Sequence, residues 1–299
     1  MLPPEYQGYA LALGSNLAGA IGSIACVLLI YATSVETTAL FWFLGGTVLS
    51  FSLLLWFRHG IQPDSMNKNI RVYMEIAVIM TVAALAWFLG LKFAGPSNVA
   101  FVGQLGIVIG VLLGAFVLGE RITFLDGVGG GVAVLGAAAM TYHSGGTVIL
   151  GMIFTLVNAT GWALQTLLVK QHVASIDKLE LLFVRSVTAT CGVLLFSAFT
   201  GGLTLPRTWL LPAGLLASAI GYVAVNLLIY QSLRYADLAK ISMLGVVQPP
   251  IVMVCAFFVF GAAPTVQELV GGALILVGVS IILAGPILRA KQLQPASSL

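Results

Sequence analysis

The side chains of this sequence that could do chemistry are amides, phenols and indoles set at helical spacing inside apolar runs. Asn16, Gly19 and Ser23 lie three and four residues apart, which places them on one face of a helix. Asn158, Trp162 and Gln165 repeat the arrangement, and Tyr222, Asn226 and Tyr230 form an i, i+4, i+8 line. Gln104 and Gln248 add amides near the middle of two further runs, Trp87 adds an indole wall, and Arg185 in "FVRS" is the basic residue set well inside a run. Groups of this kind bind. Amides fix donors and acceptors, while rings cover flat or aliphatic surface, so the set suits a small molecule with polar and apolar parts. The same amides also tie membrane helices together, at ~0.6–2 kcal/mol each. Tyr230 and Trp87 equally suit an interfacial aromatic belt. For Arg185 two readings stand: it snorkels back to water, or it faces inward, toward a substrate carboxylate or phosphate or a carboxylate such as Glu75.

Catalysis lacks its groups. An intramembrane protease or lipid-modifying transferase needs a nucleophile with a base, paired aspartates or metal ligands at membrane depth. The sequence has no HExxH, and His59, His143 and His172 sit at the ends of runs without ligand spacing. Cys26, Cys191 and Cys255 fall inside apolar runs and read as small packing residues. No enzyme activity, metal or cofactor is expected. Asp and Glu are also missing from the run centres, which argues against polycation efflux. That leaves exchange or facilitated diffusion beside proton coupling.

The elements that must position these residues are membrane helices. The chain of 299 residues is 60% hydrophobic and 8% charged, against roughly 25% charged in soluble domains. Its apolar runs are about 20 residues long, the length a helix needs to cross a hydrocarbon core of ~30 Å, and they lack the alternation of barrel strands. Ten spans are expected, near 8–31, 37–57, 72–93, 98–118, 124–143, 148–170, 179–200, 211–234, 240–260 and 266–286. "MLPPEYQ" places no basic region before the first run, so that span is expected to be retained.

Displaced by 142 residues, the sequence matches itself. "LKFAGPSNVAFVG" falls on "LRYADLAKISMLG", "FVLGERIT" on "FVFGAAPT" and "GVGGGVAVLG" on "LVGGALILVG". Residues 91–140 give 12 identities without a gap, five of them glycine. Earlier in each half Asn16 meets Asn158, Gly19 meets Gly161 and Phe41 meets Phe183. Five spans per half is an odd number, so the halves must cross the bilayer in opposite senses, as inverted-topology repeats. The predicted units are 1–145 and 146–288, followed by a tail at 289–299.

Basic residues orient the bundle. With the N-terminus inside, the inner connections hold ten Lys and Arg and the outer ones only Lys92 and Arg207. That bias places both termini in the cytoplasm. "GERIT" is then an inner turn between spans four and five, where Arg121 marks topology and Glu120 caps a helix or pairs locally. Its copy, "GAAPT", makes the outer turn without charges.

With ten spans, two five-span repeats and a fourth span ending "LGERIT" before a glycine-rich fifth, the chain resembles the EamA-type drug/metabolite transporters. The family's proline thirteen residues before that glutamate is replaced by Ile107. In the second half Pro249 keeps the proline, while Ala262 replaces the glutamate. Arg185 matches an arginine common in the second span of EamA repeats, and its counterpart here is Phe43. The resemblance implies a central cavity lined by the first, third and fourth spans of each half, with spans five and ten peripheral. It also implies transport of small metabolites, with export favoured.

The fold expected is an all-α integral membrane protein of ten transmembrane helices in two inverted repeats. The function expected is alternating-access transport of amino-acid-like or other amphiphilic or anionic solutes across the plasma or inner membrane. Rocking would use Pro249 and Pro250 as a bend in span nine and Gly103, Gly106, Gly110 and Gly114 as a thin face of span four, glycines that suit static packing equally. The partners are a small-molecule substrate and the lipid bilayer, with no nucleic acid. The glycines of spans five and ten suit either a homodimer or internal packing, and the role of a membrane partner subunit also stays open.

Overall fold

The computed structural model describes residues 4–58, 63–119, 121–142, 145–172, 176–204, 210–232, 235 and 244–292. Among these residues there are helices and turns and no strand, as expected where lipid offers nothing to an unpaired amide. The first half holds α1 (Pro4–Ala32), α2 (Val35–Arg58), α3 (Pro63–Gly103), α4 (Leu105–Leu118) and α5 (Phe124–Thr141). In the second half come α6 (Gly146–Gln171), α7 (Lys178–Thr200), α8 (Leu210–Ser218), α9 (Val225–Ser232), α10 (Gln248–Phe260) and α11 (Val266–Gln292). A π-helical turn, Ala219–Ala224, joins α8 to α9. Eight stretches are long and apolar enough to cross a bilayer, and Leu105–Val117 and Gln248–Phe260 are shorter apolar helices. The chain thus has its ten spans.

Spans four and nine differ from expectation. Gly95, at φ 78° and ψ 167°, breaks α3 in two, so span three ends at Ala94 and span four starts at Pro96. A side chain at that φ would be strained, and glycine is not. Span four is then interrupted at Gln104, where the Gln104 amide bonds the Phe101 carbonyl (3.1 Å) and the Ile107 amide bonds the Gln104 carbonyl (3.0 Å). Span nine is interrupted at the matching register: residues 246–247 form a turn, and the Val247 amide bonds the Leu244 carbonyl at 3.1 Å. Pro249 and Pro250 therefore do not bend a helix. They stand in the first turn of a new one, where their missing amides cost nothing.

Both halves close their fourth spans in the same way. Gly119 (φ 68°) ends α4 and its counterpart Gly261 (φ 65°) ends α10, each in the left-handed conformation common at helix C-termini. The turns then lead into matched capping boxes. Thr123 N–H donates to Asp126 Oδ2 (2.8 Å) and Asp126 N–H to Thr123 Oγ1 (3.2 Å). At the start of α11, Thr265 N–H donates to Glu268 Oε2 (2.8 Å) and Glu268 N–H to Thr265 Oγ1 (3.2 Å). The glycine and the threonine are what "GERIT" and "GAAPT" share. Arg121 is exposed, and Glu120 lies outside the described residues.

The halves interlock. α1 packs on α8–α10 of the second half, α6 packs on α3 and α4 of the first, α2 faces α7, and α5 faces α11. The last contact is self-complementary under the repeat. A Cβ on Gly129 would meet the Gly278 carbonyl at 2.5 Å, and one on Gly136 would meet the Gly271 carbonyl at 2.6 Å; Gly129 matches Gly271, and Gly136 matches Gly278. The glycines of spans five and ten are thus spent on each other. In span four a Cβ on Gly106 would meet the Ala159 carbonyl at 3.2 Å, while Gly103 and Gly110 face open space. Outward, Phe116 and its counterpart Phe258 are 84% and 78% exposed, a surface suited to lipid.

Candidate functional site

The two interruptions form the first cluster of predicted residues. A broken helix frees carbonyls that must find donors at membrane depth. In span nine they find the amides of the other half: Asn16 Nδ2 donates to the Leu244 carbonyl (3.0 Å) and Gln104 Nε2 to the Gly245 carbonyl (3.4 Å). Gln248 lies against α1 beside them, its Nε2 2.7 Å from where a Cβ of Gly19 would be. Asn16, Gln104 and Gln248 therefore meet around one irregular segment, about 12 Å along span four from Pro96 at 1.5 Å per residue. Interrupted helices facing each other across a repeat axis are the common way a transporter exposes backbone to a solute.

Across the molecule Asn158, the repeat counterpart of Asn16, does something else. It is buried and donates through Nδ2 to the Ala83 carbonyl (2.9 Å). The residue matching Ala83 is Val225, and its carbonyl accepts from Ser15 Oγ at 3.0 Å. The two halves use the same acceptor position with donors one residue apart.

One turn beyond Asn158, α6 and α7 build the second cluster. Arg185 is 4% exposed, so it does not snorkel. Nor does it pair with Glu75, whose Oε1 is held by Arg71 Nε at 3.0 Å on the same helix surface. The Arg185 guanidinium carbon lies 5.8 Å from the centre of the Trp162 ring, within cation–π range. Its Nε and Nη1 are buried and have no hydrogen-bond partner among the described residues. Gln165, three residues after Trp162, is buried with Oε1 likewise unpartnered. An uncompensated buried cation costs several kcal/mol. This arrangement therefore holds donor capacity that an arriving anion would satisfy.

Aromatic rings make a wall between α2, α3 and the π-turn. Trp87 packs on Phe88 (5.0 Å) and Trp42 (5.7 Å), and Phe43, the counterpart of Arg185, packs edge-on to Phe88 (6.1 Å) and Tyr222 (5.7 Å). Tyr222 is buried with its hydroxyl 3.5 Å from the Leu182 carbonyl, and Asn226 Nδ2 donates to the Tyr222 carbonyl at 2.7 Å. Their line assumed regular α-helix. The π-turn at Ala219–Ala224 changes the register between them, and the side chain of Tyr230 lies outside the described residues.

A polar cluster at the start of α7 had no place in the expected site. Glu180 is 3% exposed; Tyr73 donates to its Oε2 at 3.2 Å and accepts from the Asp177 amide at 2.9 Å. Asp177 in turn caps α7 through the amides of Leu179 and Glu180. An aspartate before a helix with glutamate three residues on is a legible start signal. The partner tyrosine, 104 residues away, leaves no such trace. No group of three or more His, Cys, Asp or Glu that could hold a metal is found among the described residues.

Comparison with known proteins accords with this architecture. No curated protein matches the sequence. A solved crystal structure described only as that of a protein superposes with a TM-score of 0.65 at 18% identity, over 95% of this chain and 98% of that one; at that identity it shows the fold alone. The EamA-like transporter family matches twice, over residues 6–142 and 149–284. The two matches fall on the two interlocked halves, and the chain belongs to the EamA-like transporter family.

Proposed function

We propose that the protein is a secondary transporter of small amphiphilic solutes bearing a carboxylate or another anionic group, amino-acid-like molecules among them. Arg185 carries the reading: a buried guanidinium with two unpartnered donors, laid over an indole. The solute's anion would dock on Arg185 and its apolar body on Trp162 and the Trp87 wall, with Gln165 accepting one donor. Asn16, Gln104 and Gln248, at the interrupted spans, form the polar side of the path; Asn158, Tyr222, Asn226 and Tyr230 flank it. Rocking of residues 1–145 against 146–288 exposes the site to either side in turn. We further place the protein in the plasma or inner membrane with both termini and the tail 289–299 in the cytoplasm, working as an exporter. A homodimer would use a face other than the α5–α11 glycines, which already pack together.

The test is uptake and efflux in proteoliposomes with a panel of anionic, zwitterionic and neutral metabolites, with and without a pH gradient. Anionic or zwitterionic solutes should move and Arg185→Met should stop them. Transport of neutral solutes only, or wild-type rates in Arg185→Met, overturns the site. Facilitative exchange or import would use the same residues. It is distinguished by trans-stimulation without any response to the pH gradient.

A further inference from the structure

At the opposite end of the spans from the Thr123 turn, the last turn of α1, the Gly95 break and the start of α11 enclose a pocket of about 420 Å³. Part of its wall is apolar and aromatic, with Ala94, Ala256, Tyr31 and Phe260, and Ser97, Asn98 and Glu268 supply oxygen. Asn98 is 8% exposed. Its Nδ2 donates to both the Ala94 carbonyl (2.9 Å) and Glu268 Oε1 (3.0 Å). Those two bonds fix the amide's orientation and leave Oδ1 as a buried acceptor with no partner among the described residues. Glu268 Oε2 is occupied by its capping box, while Oε1 receives only Asn98, and no cation pairs with this carboxylate among the described residues.

The repeat suggests what is missing. Asp126 occupies the place of Glu268, with the same threonine cap. The residue in the register of Asn98 is Lys240, which lies outside the described residues. In one half the sequence thus supplies an ammonium in this register. In the other it supplies a carboxamide with a spare acceptor, next to a pocket.

We infer that this pocket binds an organic ammonium ion, a monocation with an apolar chain, through Asn98 Oδ1 and Glu268. The chemistry favours a primary ammonium over a metal ion. The side-chain oxygens of Ser97, Asn98 and Glu268, four at most, fall short of the six or more that hard cations collect, whereas an ammonium has three donors to place. The apolar wall takes the alkyl chain. Tyr31 and Phe260, edge to face at 6.3 Å, offer ring faces that attract a cation. The site is independent of the Arg185 site and stands or falls separately.

The experiment uses the full chain in phosphatidylcholine nanodiscs, with thermal unfolding and calorimetry as readouts and n-pentylammonium chloride as the probe. Pentylammonium should raise the melting temperature with concentration, while 1-pentanol, pentanoate and sodium chloride at equal concentration should not. Asn98→Lys, which puts the tethered ammonium of the other repeat into this half, should abolish binding. Glu268→Gln keeps a capping-box side chain and should weaken binding at least tenfold. Arg185→Met should leave it unchanged. An equal shift with pentanol (an apolar effect only), displacement of the probe by sodium, or wild-type affinity in Glu268→Gln would each overturn the assignment. Since Glu268→Gln keeps the cap, the test holds even if Asn98→Lys fails to fold.

Discussion

Arg185 and Phe43 occupy one position in the two repeats, 142 residues apart, and their surroundings have little in common. Phe43 is buried among rings, against Phe88 and Tyr222. Arg185 is buried just as deeply, with Nε and Nη1 unsatisfied among the described residues. The same division runs through the amides: Asn16 is spent on an interrupted span, its counterpart Asn158 on a regular one. Where the halves agree, at the α5–α11 glycines, the αL glycines and the threonine caps, the residues hold the backbone. Where they differ, they present chemistry. A duplicated fold keeps its packing code and lets one copy carry the charge.

The sharpest test of the shared backbone code is Gly129→Leu. A Cβ there already meets the Gly278 carbonyl at 2.5 Å, so overpacking should cost about 3 kcal/mol or more and abolish monodisperse folded protein in size-exclusion profiles. Gly131→Leu, two residues along at a position that meets nothing within 4 Å, should elute and melt like wild type. If the two behave alike, the self-complementary contact is wrong.

Replacing each partner of the unequal pair separates chemistry from packing. Arg185→Met should cut transport of anionic solutes at least tenfold while leaving the melting temperature equal or higher, because a well-packed apolar side chain replaces an uncompensated buried charge. Phe43→Ala should do the reverse in kind, costing about 3–5 kcal/mol of stability. A lower melting temperature in Arg185→Met would mean that the guanidinium is structural.

Smaller effects test the amides. Asn16→Ala and Asn158→Ala should each destabilise by about 1 kcal/mol, the scale of a hydrogen bond between membrane helices, measured by thermal unfolding in nanodiscs. Only Asn16→Ala, at the interrupted spans, should also lower transport. The smallest difference is expected from the caps: Thr123→Ala and Thr265→Ala should lose equal amounts, near ~1 kcal/mol. A twofold disparity would show that the turns are not equivalent.

The positions of the ten spans were legible because a bilayer demands an unbroken apolar length, and the duplication because its register survived without a gap from "LKFAGPSNVAFVG" to the fifth span. The interruptions were not. Gln104 and Val246 sit among residues that continue a helix elsewhere, and the prolines that read as a bend fall just after the break. The π-turn at Ala219–Ala224 left no sequence signal either. Glycine spacing in span four pointed to a contact along its length, but of Gly103, Gly106 and Gly110 only Gly106 has a neighbour close by.

By itself the sequence determined the all-helical class, the number of crossings and the repeat, since these follow from hydrophobic length and from a pattern read along one chain. It also singled out Arg185 as a basic residue inside a span. Only the tertiary structure decided that Arg185 lies under Trp162 rather than reaching water, that the α5 glycines meet those of α11, and that Asn98 faces Glu268 across 170 residues. Those facts depend on which helix faces which. That choice is made by side-chain volume and hydrogen-bond demand between segments far apart in the chain, and no local pattern encodes it.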